Sequence, residues 1–432
     1  MKTALIVAFH FPPYGAGSGI LRILKFCRYL PESDWQPVLL TASTRAYERT
    51  DPTLLKEVPP SLPVVRAFAL DTQRHLSLRG RYSRLMALPD RWSSWLPAAV
   101  VKGAYLVRKK QVDVIVTTYP IATAVLIGFI LHKLTSKPWV VDFRDSMTED
   151  DYPRDALTRR VSRWVEKKAI QHASRLIFTA RSTIEMYRKR YPSLSAEKCL
   201  LIPNGYDEED FQLLPAPAKQ QPGSKRCLQL LHLGVIYPSE RDPRPFFRAL
   251  SRLKKDGRVN SGELQINLRA SGSEALYTEI LRDLDIADLV HLLPAIPYPQ
   301  ALAEAAASDA LLLFQAANCD HQIPAKAYEY LRLGKPILAL TSQTGDTAAL
   351  LKETGGATIV DLPDEQQIYG AIPELLRALR DGGHSIADPS VVRRYARRNQ
   401  ASALAQSLSA ISQSEGTTWH REPESVAGSK SI

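Results

Sequence analysis

The run from His321 to Thr341 constrains this chain more than any other stretch. It reads His-Gln-Ile-Pro-Ala-Lys-Ala-Tyr-Glu-Tyr-Leu-Arg-Leu-Gly-Lys-Pro-Ile-Leu-Ala-Leu-Thr. Pro324 suits the first turn of a helix, where its missing N–H costs nothing. Ala325 to Leu333 are mostly good helix formers, and Gly334 stands where a left-handed C-cap is expected. Pro336 stops any continuation, and Ile337 to Leu340 form a short apolar strand. Helix, glycine stop and buried strand in such close order specify a layered α/β unit. Lys326 and Glu329 lie three apart and share a face near the helix start. A helix N-terminus with a lysine beside it attracts phosphate. A carboxylate one turn further in is placed to hold ribose hydroxyls.

With 432 residues the chain exceeds the size at which one core stops growing, so two domains are expected. A hydrophobic content of 45% and a mean hydropathy of −0.19 describe a globular protein in water. The net charge of +11 and pI of about 9.4 suit nucleic acid, an anionic membrane or anionic substrates as partners. Cys27, Cys199, Cys227 and Cys319 form no C-x-x-C pair. That spacing fits a reduced cytosol and argues against zinc or a disulfide framework. The longest apolar run, Ala122 to Leu131, is too short to cross a bilayer and is expected as a buried helix. Met1 to Phe9 superficially resembles a signal peptide. Its apolar core is short and no small-residue cleavage site follows, so a first strand is expected.

That strand, Ala4 to Phe9, leads into the glycine loop His10 to Gly19 and a helix from about Ile20 to Leu30. Strand, glycine loop and helix present backbone N–H groups to phosphate, with Gly15, Gly17 and Gly19 permitting close approach. A dinucleotide site is poorly supported. The spacing is not G-x-G-x-x-G, and the second strand, Gln36 to Thr41, ends in no acidic residue. The alternative is a tight strand–helix turn. Between Arg45 and Leu96 periodicity is poor. Arg74, His75, Arg79, Arg81 and Arg84 lie near Leu76, Leu78, Tyr82, Leu85 and Met86, followed by Trp92 and Trp95. Such a segment either lies on an anionic membrane surface or forms a solvated face over a core helix.

Pro138 to Asp145 carries a buried strand that ends in Asp142, Arg144 and Asp145. Charges at a strand's C-terminal end suit a ligand site in a doubly wound sheet. They also suit an Arg–Asp pair that braces the loop. The helix from about Leu157 to Ala173 is rich in Arg and Lys. Ser182 to Glu185 fits a capping box. Gln212 to Cys227, with three prolines, reads as an interdomain linker. Strands and helices then alternate again from Gln229 to Val360, a second doubly wound unit. Further helices are expected at about Glu365 to Leu379 and Val391 to Ser409. The tail from Ser412 to Ile432 has the composition of a disordered segment.

Pro324-Ala-Lys-x-x-Glu-Tyr-Leu-x-x-Gly-Lys-Pro-Ile337 resembles the nucleotide-sugar motif of retaining glycosyltransferases of the family 4 group. The resemblance implies an α/β chain of two Rossmann-like doubly wound domains facing a cleft, the GT-B fold. Glu329 matches the second glutamate of that family's Glu-x7-Glu pair, and the first falls on His321. Phe11-Pro-Pro-x-Gly-x-Gly-Ser-Gly-x-x-Arg22 resembles the family's N-terminal loop, which implies a donor-phosphate or acceptor role for Gly15, Gly17, Gly19 and Arg22. By the same likeness Asp142, Arg144 or Asp145 orients the acceptor hydroxyl. Ile202-Pro-Asn-Gly-x-Asp207 resembles the hinge entry. Gly234 and Arg241 match the glycine loop and the phosphate-binding arginine, with Arg244 as an alternative.

The implied catalytic set is therefore Asp142, Arg144, Asp145, Arg241 and Lys326. The donor-binding set is Gly15, Gly17, Gly19, Gly234, His321, Pro324 and Glu329. Residues 1–211 are expected as the acceptor-side domain and 228–390 as the nucleotide-sugar domain, with a helix at 391–411 crossing back to the first. The implied activity is retaining transfer of a sugar from a nucleotide-sugar donor to a glycan or lipid-linked acceptor. The setting is cell-surface polysaccharide synthesis, in the cytoplasm or peripherally on the inner membrane face. No D-x-D pair stands out; Glu149-Asp-Asp151 is the nearest acidic cluster, so no metal or other cofactor is expected. Alternatives are a nucleotide-sugar 2-epimerase on the same scaffold, or a non-catalytic scaffold that binds a partner or polyanion. Nucleic acid is not expected, since no recognition motif accompanies the charge.

Overall fold

Short apolar runs such as Ala-Leu-Ile-Val and Val-Ile-Val recur along both halves, each followed by a helix. Strands buried on both faces are what a parallel sheet covered by helices requires. The computed structural model describes residues 1–15, 19–150, 152–212, 214 and 226–414. Gly17, most of the expected linker and the tail beyond Ser414 lie outside them.

Among the described residues the first half runs β1 (Lys2–Val7), α1 (Gly19–Tyr29), β2 (Trp35–Ala42), β3 (Val64–Ala67), α2 (Thr72–His75), α3 (Trp95–Lys109), β4 (Val114–Thr118), α4 (Ala122–Thr135), β5 (Trp139–Phe143), α5 (Ala156–His172), β6 (Arg175–Phe178), α6 (Arg181–Arg190), β7 (Cys199–Leu201) and α7 (Glu208–Gln212). The second runs β8 (Leu228–Leu233), α8 (Arg244–Lys255), β9 (Leu264–Arg269), α9 (Glu274–Asp283), β10 (Val290–Leu293), α10 (Tyr298–Ala307), β11 (Ala310–Phe314), α11 (Ala325–Leu333), β12 (Ile337–Leu340), α12 (Asp346–Thr354), β13 (Ala357–Val360), α13 (Glu365–Asp381), α14 (Pro389–Val392) and α15 (Arg397–Ser414).

The strands form two sheets, ordered β3-β2-β1-β4-β5-β6-β7 and β10-β9-β8-β11-β12-β13. Pairing is parallel between β1 and both β2 and β4, and between β8 and both β9 and β11. Each sheet therefore reverses its winding between its first and fourth strands in chain order. That switch point is where a doubly wound sheet opens a crevice for ligands. Both units are thus Rossmann-like, as the alternation of the sequence requires.

Contacts divide the chain into two compact units. One is Met1–Ile177 with Ser193–Leu200 and Ala401 onward; the other is Phe178–Pro192 with Leu201–Gln400. The chain thus leaves the first unit at Ile177, returns to it at Ser193–Leu200, and enters the long run of the second at Leu201. Within the first unit, the end of α15 is tied down by Trp35 Nε1, which donates to Ser409 Oγ at 3.0 Å, and by Lys2 Nζ, which donates to Ser412 Oγ at 2.6 Å.

Several local expectations are corrected. Pro324 is the N-cap of α11 rather than its first helical residue, while Gly334 takes the left-handed C-cap at φ 65°. Ser182 does not head a capping box. Helix α6 starts at Arg181, and the Ser182 N–H is capped from far along the chain by the Asp346 carboxylate at 3.0 Å. The helix expected at 391–409 is broken: α14 is a single turn headed by Asp388, and α15 starts only after Ala396 bridges to Tyr206. Residues 412–414 of the expected tail belong to α15. The aperiodic stretch after Arg45 contains an unanticipated strand, β3. It is a half-buried edge strand of four residues, too short to show alternation. Trp95, expected beside the basic segment, is fully buried. Among the described residues no helix is long and apolar enough to cross a membrane.

Candidate functional site

In the first unit the charged end of β5 folds inward. Arg22 on α1 grips Asp142 with two parallel bonds, Nε to Oδ2 at 3.0 Å and one terminal nitrogen to Oδ1 at 2.9 Å. Both side chains are 1% exposed. Arg144 donates its Nε–H to the Tyr119 carbonyl at 2.7 Å and a second N–H to the Gly19 carbonyl. Any β-carbon on Gly19 would run into that guanidinium. Asp142 and Arg144 therefore brace the end of β5 against α1 and the loop that follows β4, which is the structural alternative for this motif. Of the three charged residues only Asp145 is solvent-exposed. Gly15 donates its N–H to the Arg49 carbonyl at 3.0 Å. His10 stacks on Tyr14 with ring centroids 4.4 Å apart. Burial, followed by the charge of Arg144, pushes its pKa down to about 3, so the ring is neutral.

In the second unit β8 ends at Leu233, and Gly234 turns the chain at φ +92°, a backbone conformation that side chains with a β-carbon rarely adopt. Lys326, at the start of α11, reaches this turn. Its Nζ lies 3.3 Å from where a Gly234 β-carbon would stand. The same nitrogen donates to the Leu233 carbonyl and sits 3.1 Å from Nε2 of His232. Arg241 folds back over Tyr237 and donates to the Val235 carbonyl at 2.6 Å. Burial, then the Arg241 charge, lowers the Lys326 pKa to about 7. Among the described residues neither cation makes an ion pair. Their hydrogen-bond partners are carbonyls and an imidazole, Arg241 lies over an aromatic face, and the Glu329 carboxylate acts on Lys326 only at a distance.

The nearby carboxylate is engaged elsewhere. Glu329 accepts the Tyr298 hydroxyl at 3.0 Å, and burial raises its pKa. Pro324 lies at the N-cap of α11. His321 lies in the loop that precedes it, and its carbonyl accepts from Thr183 Oγ1 at 2.6 Å. Gln315, just past β11, stiffens this loop by donating to the carbonyls of Cys319 at 2.7 Å and Gln322 at 2.9 Å. Arg244, the alternative phosphate ligand, is 59% exposed and paired with Asp242.

The structure thus gathers Gly234, Arg241, Lys326 and Glu329 at the second switch point. Sequence reasoning missed His232 and Tyr298. A histidine inside the apolar run Leu-Leu-His-Leu was a visible signal for the first. Nothing local marked the second.

Residues 19–205, a little under half of the chain, match the family model described as a glycosyl transferase 4-like domain. No curated protein sequence matches the chain. Among solved structures, sucrose-phosphate synthase from Thermosynechococcus elongatus superposes with a TM-score of 0.60 at 16% identity, over 98% of this chain and 99% of that one. Anabaena HepE in complex with UDP-glucose gives 0.58 at 15%, over 97% and 99%. α,α-Trehalose 6-phosphate synthase from Burkholderia multivorans gives 0.64 at 12%, over 98% and 100%.

The fold is GT-B. Within that fold, the glycine turn after β8 and the start of α11 place two cations beside the second unit's switch point. The first unit contributes a braced motif in which Asp142 and Arg144 are buried and Asp145 is exposed.

Proposed function

We propose that the chain is a glycosyltransferase that takes its sugar from a nucleoside-diphosphate donor. One observation carries this: Lys326 and Arg241 converge on the Gly234 turn with neutral partners and no ion pair among the described residues. Cationic charge held without an ion pair in a partly dry crevice is matched to an anion that arrives or develops there. During transfer the anomeric carbon becomes oxocarbenium-like as the diphosphate leaves. Lys326, Arg241 and the first N–H groups of α11 take up that leaving charge. Glu329 holds ribose hydroxyls in exchange for Tyr298, and His321 stands on the sugar side. Transfer proceeds with retention. The match of residues 19–205 and the UDP-glucose bound by the Anabaena neighbour support this assignment.

The acceptor is a glycan or lipid-linked saccharide in cell-surface polysaccharide synthesis, with Asp145, the exposed carboxylate of the Asp142–Asp145 motif, orienting its hydroxyl. A membrane-proximal acceptor is supported by α5. Arg160, Arg163, Trp164 and Lys167 fall at helical spacing on one exposed face, with Trp164 48% exposed and Lys168 lying 5.8 Å over its ring. The only acidic residue of that helix, Glu166, is buried and holds Thr148.

The decisive experiment is thermal-shift binding of UDP, GDP, ADP and dTDP to wild type, Lys326→Ala and Glu329→Ala. Stabilisation by one diphosphate, lost in both variants, is expected and names the donor class. No shift with any of the four would replace the transferase with a non-catalytic scaffold.

A further inference from the structure

His232 has no place in the α11 motif, yet its Nε2 lies 3.1 Å from the Lys326 amine. It sits on β8, fully buried, in the centre of the second sheet. Its ring packs edge-on against Phe314 at 5.1 Å. Nδ1 lies 2.9 Å from the carbonyl oxygen of Leu312 on the neighbouring strand β11. A carbonyl can only accept, so Nδ1 carries the ring proton and Nε2 presents its lone pair. That lone pair faces Lys326 Nζ at 3.1 Å. The ring is thus fixed in orientation and tautomer by the strand pair at the switch point, and it offers one acceptor to one ammonium.

We infer that His232 is a positioning residue, which holds the Lys326 amine against the Gly234 turn so that its remaining N–H faces an incoming diphosphate. The inference rests on the donor-site assignment above and adds to it the device that aims the lysine. The choice of an imidazole follows from electrostatics. A carboxylate in the place of His232 would hold the lysine more strongly and would also cancel its charge at the phosphate. A neutral ring with the Leu233 carbonyl fixes two of the three ammonium hydrogens and leaves the charge intact. Without the Nε2 acceptor, a flexible four-carbon side chain has one anchor instead of two, and its ordering becomes part of the cost of binding. The neutrality of the ring is secured by the same surroundings. Burial first, then the charges of Lys326 and Arg241, hold its pKa well below the ordinary histidine value, against the opposing backbone hydrogen bonds of Leu312 and Gly234.

The test is a double-mutant cycle on the dissociation constant of whichever of UDP, GDP, ADP and dTDP binds the wild type. His232→Asn keeps a donor for Leu312 and loses the acceptor for Lys326, whereas His232→Gln keeps an acceptor at the Nε2 position. His232→Asn is expected to weaken binding about tenfold, and His232→Gln to restore it to within about threefold of wild type. In a Lys326→Ala background, His232→Asn is expected to add less than about a twofold loss. Should His232→Asn fail to fold, His232→Phe keeps the ring volume beside Phe314 and is expected to give the same loss. Binding unchanged in the folded His232 variant, or weakened equally with and without Lys326, overturns the inference while leaving the donor site standing. If Lys326→Ala itself binds as wild type, the donor-site assignment fails, and the inference fails with it.

Discussion

The pair Arg22–Asp142 provides the sharpest test of how the first unit is built. Both side chains are 1% exposed and joined by two bonds of 3.0 and 2.9 Å, with the guanidinium also 4.9 Å from the Phe26 ring. Removing one partner leaves a charge buried without its counterion, which costs about 3–5 kcal/mol. For a unit of this size roughly 1 kcal/mol moves Tm by ~2–4 °C. Asp142→Ala is therefore expected to lower the first unit's transition by about 6–20 °C in scanning calorimetry. Arg22→Met should do the same. The double variant Arg22→Met/Asp142→Leu should recover most of the loss, since a packed apolar pair avoids the desolvation that the ions suffer. Two results would refute the reasoning. A single variant within about 2 °C of wild type would mean the pair is not a brace. An Asp142→Ala protein that keeps its Tm but loses sugar transfer would return Asp142 to the chemistry.

Lys326 carries a pH signature. Its folded-state pKa of about 7 lies below the ordinary lysine value of about 10.4, so between these the unfolded chain binds more protons and the contribution to stability rises with pH. Wild type should gain stability relative to Lys326→Met as pH climbs through that window in urea titrations; a flat difference would contradict the burial of the amine. Diphosphate binding favours the ammonium, so the affinity advantage of wild type over Lys326→Met should shrink above about pH 7 when followed by calorimetry. Gly234→Ala forces a β-carbon into φ +92° beside Lys326 and should cost about 1–2 kcal/mol in stability together with most diphosphate affinity; unchanged binding would remove the turn from the site. Charge reversal of Arg160, Arg163 and Lys167 on α5 should abolish co-sedimentation with vesicles rich in phosphatidylglycerol and leave diphosphate binding intact; equal sedimentation of wild type and variant would make that face merely solvated.

The alternation of apolar runs and helices was enough to read two doubly wound units, because strand burial and helix caps are written in consecutive residues. The α11 segment is the clearest case: Gly334 and Pro336 end the helix in the sequence and in the structure. Lys326 and Glu329 could be placed on one face by spacing alone. The motif at Asp142 could not be resolved that way. The same three residues serve a catalytic loop or a brace, and the choice rests on Arg22, 120 residues away in sequence.

The sequence by itself determined the elements, their order, the glycine turn and the lysine that faces it. Tertiary structure alone decided which polar groups meet. His232 finds Lys326 across 94 residues, and Asp346 caps α6 across 164. A buried polar atom must find a partner wherever the fold supplies one, and that supply is set by which strands become neighbours in the sheet. Strand order is a property of the packed chain as a whole, so no window of sequence contains it.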